Sequence, residues 1–89
     1  MSGTTARSVT VQVLAFARLR ELLGFGERSV VLAEGSTLED VWSALVATAP
    51  QLAALRSSTR FACNGVLAEA TTVVREGDEL ALLPPVGGG

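Results

Sequence analysis

Gly35-Ser-Thr-Leu-Glu-Asp-Val-Trp-Ser-Ala-Leu-Val-Ala-Thr-Ala-Pro50 decides how this chain folds. Ser36 or Thr37 stands where a helix N-cap belongs, and Glu39 and Asp40 fall in the first turn, where carboxylates favour free N–H groups and the positive dipole end. Leu38, Val41, Trp42, Leu45 and Val46 then follow at i, i+3, i+4, i+7 and i+8. This single apolar stripe is wide enough to cover one face of a sheet, and Pro50 ends the helix.

Both flanks supply strands for that face. Before the helix, Val9, Val11, Val13 and Ala15 alternate with Thr10, Gln12, Leu14 and Phe16, so residues 9–16 read as a strand. "ARLRELLGFG" spaces Leu19, Leu22 and Leu23 as a short helix with Gly24 as its C-cap. Residues 28–34 read as a second strand, able to pair with the first. After the helix, Leu52 and Leu55 suggest a short turn at the edge of the core. Asn64-Gly65 marks a tight hairpin. "TTVV" (71–74) and "ELALL" (79–83) read as the last strand material, and Gly77 in the intervening "REGD" suits a turn with positive φ.

The expected fold class is therefore α+β, a β-grasp or ubiquitin-like mixed sheet crossed by one main helix. Residues 1–8 are expected to form a disordered tail, 9–83 the domain and 84–89 an extended C-terminal tail. Parallel pairing of the first and last strands would place the last in the sheet centre and project "PPVGGG" from its end.

Composition excludes several kinds of function. Eighty-nine residues suit one core, and 48% hydrophobic with 18% charged residues is a globular balance. No run of about 18 apolar residues is present, so no membrane span is expected and the cytoplasm is the expected location. There is no histidine and one cysteine, Cys63, which removes the usual zinc sites, histidine-based triads and any internal disulfide. The basic residues are seven arginines, scattered along the chain, which argues against nucleic acid. Without lysine, the chain offers no side-chain amine for isopeptide bonds.

The tail stands out instead. Pro84 and Pro85 fix φ and hold the exit extended, and Gly87, Gly88 and Gly89 can enter a channel too narrow for a Cβ. From Pro84 to Gly89 the stem spans roughly 20 Å, at about 3.3–3.6 Å per residue. A frayed end or a cloning scar reads equally well from these residues alone.

Three segments carry a resemblance: "FARLRELLG" (16–24), "ACNG" (62–65) and "EGDELALLPPVGGG" (76–89). Together they resemble the small subunits of molybdopterin synthase, the MoaD-type sulfur carriers of the MoaD/ThiS group of ubiquitin-like proteins. The resemblance implies that the Gly89 carboxylate, a poor electrophile, is adenylated with ATP by a MoeB-type enzyme. Sulfur from a persulfide sulfur donor then replaces AMP, leaving a C-terminal thioglycine. It also implies that the tail enters a MoaE-type large subunit, which holds the catalytic residues and passes the sulfur to a cyclic pyranopterin precursor to form the molybdopterin dithiolene. The carrier would hold no permanent cofactor or metal. Gly89 would be the reactive terminus, and Gly88, Gly87, Val86, Pro85, Pro84, Leu83 and Leu82 would contact the partner. Gly87, Leu82 and Leu83 depart from the family pattern, the two leucines standing where many relatives have aromatic residues.

Two other classes fit the same tail. One is a carrier for thiazole or cysteine synthesis, or a protein modifier joined through Gly89. The other is a non-catalytic ubiquitin-like interaction module. Cys63 reads as a small buried strand residue rather than a reactive thiol and Trp42 as core, while Arg18, Arg20 and Glu21 read about equally well as facing a partner and as an exposed charged helix face. Glu76, Asp78 and Glu79 read as an acidic turn rather than a metal site.

Overall fold

The structure is a computed structural model that describes residues 7–84. Five strands, β1 (Ser8–Ala15), β2 (Glu27–Ala33), β3 (Arg60–Cys63), β4 (Val66–Ala68) and β5 (Glu79–Leu83), form one mixed sheet in the order β2-β1-β5-β3-β4. β1 and β5 run parallel, with Gln12 against Glu79 and Ala15 against Leu82, and every other neighbouring pair is antiparallel. The last strand thus lies in the middle of the sheet, as expected. β1 takes in Ser8, which the sequence reading assigned to the tail.

One face of the sheet is covered. Val9, Val11, Val13 and Ala15 of β1, Phe61 of β3 and Leu80 and Leu82 of β5 pack with Leu38, Val41, Trp42 and Leu45 of helix α2 (Leu38–Thr48). The helix and strand periodicities meet here: a 3.6-residue stripe closes over a two-residue alternation. Trp42 and Phe61 rings lie 6.1 Å apart at 53° within this layer. Helix α1 (Ala17–Leu23) adds Leu19 to the core and ends at Gly24, whose φ of 82° is the left-handed cap conformation that glycine adopts without a Cβ clash.

Thr37 is the N-cap of α2. Asp40 N–H donates to its Oγ1 at 3.2 Å, and its own N–H donates to the Asp40 carboxylate at 2.8 Å, a complete capping box. The next two donors are satisfied from afar: Leu38 and Glu39 N–H reach the carbonyls of Thr72 and Ala70, each at 3.0 Å.

That arrangement corrects one sequence expectation. "TTVV" is not a strand, because β1 and β3 occupy both sides of β5 and the segment instead crosses the start of α2. Only one isolated bridge, Val73 to Thr37, remains of its pairing, while Val74 is buried. A second correction concerns Leu52 and Leu55. Pro50 both ends α2 and opens a nine-residue 3-10 segment, Pro50–Ser58, in which Leu52 is fully enclosed rather than at the core edge. Arg56 on this segment forks onto Glu39 of α2, with Nε–Oε1 at 2.9 Å and Nη2–Oε1 at 2.5 Å, and lies 4.8 Å over the Phe61 ring. The hydrogen bond from Arg56 is the main cause holding the Glu39 carboxyl below its ordinary pKa. Among the described residues no helix is long and apolar enough to cross a membrane.

Candidate functional site

The region with functional promise is the end of β5, where the chain leaves the sheet. Parallel pairing with β1 fixes its direction, so Leu83 and Pro84 emerge beside the corner between β1 and α1. Pro84 lines a small apolar cleft of about 120 Å³ with Arg18, Leu19, Leu55, Ser58 and Thr59. Pro85, Val86, Gly87, Gly88 and Gly89 lie outside the described residues.

Leu82 and Leu83, paired in the sequence reading, part company here. Strand alternation sends Leu82 into the core, where it has no exposed surface, and leaves Leu83 half-buried on the opposite face. Leu82 therefore anchors the strand and is not available to a partner. Leu83 and Pro84 are.

The sheet face away from α2 carries an apolar row that the sequence reading did not assign a role. Leu14 of β1 is registered against Ala81 of β5, Ala81 against Ala62 of β3, and Ala62 against Leu67 of β4. Phe16 follows Ala15, the partner of Leu82, with extended backbone (φ −127°, ψ 156°), which brings it level with Leu83. Phe16 is 46% and Leu67 60% exposed, large values for apolar side chains, and they mark the two ends of this row, with Ala62 buried between them. The sequence held a local hint but not the patch itself: Leu14 of β1 and Phe16, just after the strand, are apolar at positions that alternate with Val9, Val11, Val13 and Ala15.

The acidic turn is a clamp. Asp78 accepts from Asn64 Nδ2 at 2.9 Å through Oδ1 and from Arg75 N–H at 2.8 Å through Oδ2. Asn64 Oδ1 accepts from Glu79 N–H at 2.9 Å, and Glu76 Oε1 accepts from Thr10 N–H at 2.9 Å. The turn thus joins β1, β5 and the β3–β4 hairpin, whose tip, Asn64-Gly65, has φ of 52° and 84° as a type I′ turn requires. Among the described residues no group of acidic, cysteine or histidine side chains could hold a metal ion.

Cys63, at the end of β3, is half-buried rather than buried. Burial first, then the neighbouring Asp78 charge, pushes its thiol pKa up, which disfavours the thiolate. Asp78 is held low, chiefly by the Asn64 hydrogen bond. A depressed folded-state pKa stabilises the fold fully above the ordinary carboxylate value of about 3.9, and that contribution is lost as pH falls through the folded value. Thermal melts from pH 7 to pH 2 should show a smaller loss of stability on acidification for Asp78→Ala than for the unmodified protein. An equal loss in both would contradict the clamp. Arg18 and Glu21 form an exposed pair at 3.6 Å on α1, which adds little stability.

β5, in the centre of the sheet, brings the chain to Pro84 beside the apolar row. In comparison with known proteins, the model of the ThiS family matches residues 13–89. The chain belongs to the ThiS family. Within this MoaD/ThiS group it is similar to the molybdopterin synthase sulfur carrier subunit of Arabidopsis thaliana, at 38% identity over 82 residues, covering 92% of this chain and 85% of that protein. The corresponding subunit of Chlamydomonas reinhardtii is 33% identical, with 89% and 98% covered. Among solved structures, a putative molybdopterin converting factor subunit 1 from Pyrococcus furiosus superposes with a TM-score of 0.80 at 26% identity, over 88% of this chain and 99% of that one. Small archaeal modifier protein 1 of Haloferax volcanii gives 0.79 at 30% identity, over 88% and 99%. The fold of this ThiS-family chain is the ubiquitin-like β-grasp.

Proposed function

We propose that this chain is the sulfur carrier subunit of a molybdopterin synthase, with Gly89 as the atom-carrying terminus. The observation that carries the reading is the exit of β5 beside the exposed patch of Leu14, Phe16, Leu83 and Leu67. A partner that covers this patch also receives the tail. The names of the Arabidopsis and Chlamydomonas relatives supply the pathway.

The chemistry asks little of this chain's side chains. The Gly89 carboxylate attacks the α-phosphorus of ATP on a MoeB-type enzyme and expels pyrophosphate, giving an acyl-adenylate. The terminal sulfur of a donor persulfide attacks the acyl carbon, and AMP leaves. A thiol then cleaves the S–S bond and frees the thiocarboxylate. Seated in the MoaE-type large subunit, the thiocarboxylate sulfur attacks a carbon of the pyranopterin precursor and displaces an oxygen leaving group. Hydrolysis of the resulting thioester leaves the sulfur on the pterin and returns the Gly89 carboxylate. Burial until then limits premature hydrolysis and holds sulfur near its target. Pro84 and Pro85 limit the directions the stem samples, which lowers the entropy lost on insertion. Gly87, Gly88 and Gly89 keep the end narrow. All of these steps belong in the cytoplasm, where ATP and reduced thiols are at hand.

A second reading, a modifier joined to other proteins through Gly89, draws support from the likeness to the archaeal modifier protein. A pull-down from native extract with the tagged chain separates the two. Co-purification of a molybdopterin synthase large subunit is the expected result. Covalent adducts linked through Gly89 to lysines of other proteins, with no large subunit recovered, would favour the modifier.

A further inference from the structure

The β2 edge of the sheet is built to pair with itself. Antiparallel strands alternate the direction of their backbone groups. Glu34 N–H donates to Arg7 O at 3.0 Å and Ala15 N–H to Gly26 O at 2.9 Å, so the even-numbered residues of this stretch bond to β1. The N–H and C=O groups of Glu27, Ser29, Val31 and Ala33 therefore point outward from a strand that the sheet order leaves at the edge. An edge of this kind is a template for another strand.

From Val30 to Ala33 its side chains are apolar on both faces. Val31 is 65% exposed on the face away from α2. Val30 and Leu32, registered against the core residues Val11 and Val9, are only partly covered. Further along that same face stand exposed charges of opposite sign, Arg28 and Glu34, each three residues from Val31. Among the described residues neither belongs to an intrachain salt bridge, and Arg28 instead rests 4.3 Å over the Phe25 ring.

We propose that two copies of this chain associate through antiparallel β2–β2 pairing about a two-fold axis at Val31. Only outward-facing residues can hydrogen-bond across the axis, so odd-numbered residues must oppose odd-numbered ones. With the axis at Val31, Val31 meets Val31, Ser29 meets Ala33 and Ala33 meets Ser29. The same register sets Val30 against Leu32 and Arg28 against Glu34, twice each by symmetry. Moving the axis one residue to Val30 sets Arg28 against Leu32 and Glu34 against Gly26; moving it to Leu32 sets Glu34 against Val30. Both shifts forfeit the two charge pairs. The dimer is a continuous ten-stranded sheet from two five-stranded ones. It leaves the exit of β5 free, since β1 separates β2 from β5, so it is independent of the carrier function and compatible with it.

Sedimentation equilibrium of the full chain from about 1 μM to about 1 mM is the test. The weight-average mass should rise with concentration from one 9.2 kDa chain toward two. Arg28→Glu and Glu34→Arg each set like charges opposite one another at both pairs and should weaken association by about tenfold or more. An equimolar mixture of the two variants regains opposite charges at both pairs, and should dimerise more tightly than either variant alone. Val31→Pro removes an outward N–H that β1 does not use, so it should abolish the dimer while melting near the unmodified protein. A monomer throughout the range overturns the proposal. So does a dimer indifferent to the charge reversals, or a mixture no tighter than its components. The charge-reversal series stands by itself should the proline variant fail to fold.

Discussion

Removing Gly89, or adding one residue after it, should abolish sulfur transfer to the pterin precursor while leaving the melting temperature unchanged. β5 makes its last core contact at Leu82, seven residues before Gly89, and Leu83 already faces the other way. A change of one residue moves the terminal carbon by about 3.3–3.6 Å along an extended stem. Misplacement by about 1 Å can cost 10²-fold in rate, so a full-residue shift should reduce transfer by more than that. The check is single-turnover transfer with the chain already sulfurated, or with chemically prepared thiocarboxylate where the activating enzyme rejects the altered tail. Transfer within about tenfold of the unmodified rate in both variants would move the reactive group away from Gly89.

Leu82→Ala should do the reverse of a tail change. Leu82 is fully enclosed between β1, β3 and α2, and truncating such a residue costs about 2–5 kcal/mol through lost transfer energy and the cavity left behind. In a domain of this size that lowers the melting temperature by roughly 10–20 °C or more. Leu83→Asp, one residue on, should change stability by less than about 1 kcal/mol, because the side chain is half-exposed. It should nonetheless weaken binding of the large subunit by tenfold or more, since it sets a charge within the apolar patch. Calorimetry of the variants and titration with the large subunit separate these effects. Equal destabilisation by both substitutions would mean that the strand alternation at the tail exit is misassigned.

Most of the fold was legible because local signals and tertiary needs coincide. The capping box at Thr37 and Asp40, the stripe from Leu38 to Leu45 and the alternation from Val9 to Ala15 each describe an element that buries the face its own period dictates. "TTVV" misled for the opposite reason. Its β-branched residues have strand propensity, but the neighbours of β5 are already taken, and the segment instead supplies the Thr72 carbonyl to Leu38 N–H at the start of α2. Asn64 and Asp78 were visible as turn residues, yet the bond between them joins positions 14 apart and could not be read from either turn alone. At the site, Pro84 stands at the exit of β5, and the other stem residues, Pro85, Val86, Gly87, Gly88 and Gly89, lie outside the described residues. The patch around Leu14 and Phe16 was not legible, because it forms only when β1, β5, β3 and β4 are laid side by side. Leu82 was miscast for want of a phase: its neighbour Leu83 looks the same in sequence, and only the register with Ala15 shows which of them faces the core.

The central claim is that Gly89 carries sulfur, and the mass of the intact protein tests it most directly. Incubation with a MoeB-type activating enzyme, ATP and a persulfide donor should shift the chain by the difference between one sulfur and one oxygen atom, with fragmentation placing the change on Gly89. An unchanged mass, under conditions in which the same enzyme and donor sulfurate one of the similar carrier subunits, would contradict the account.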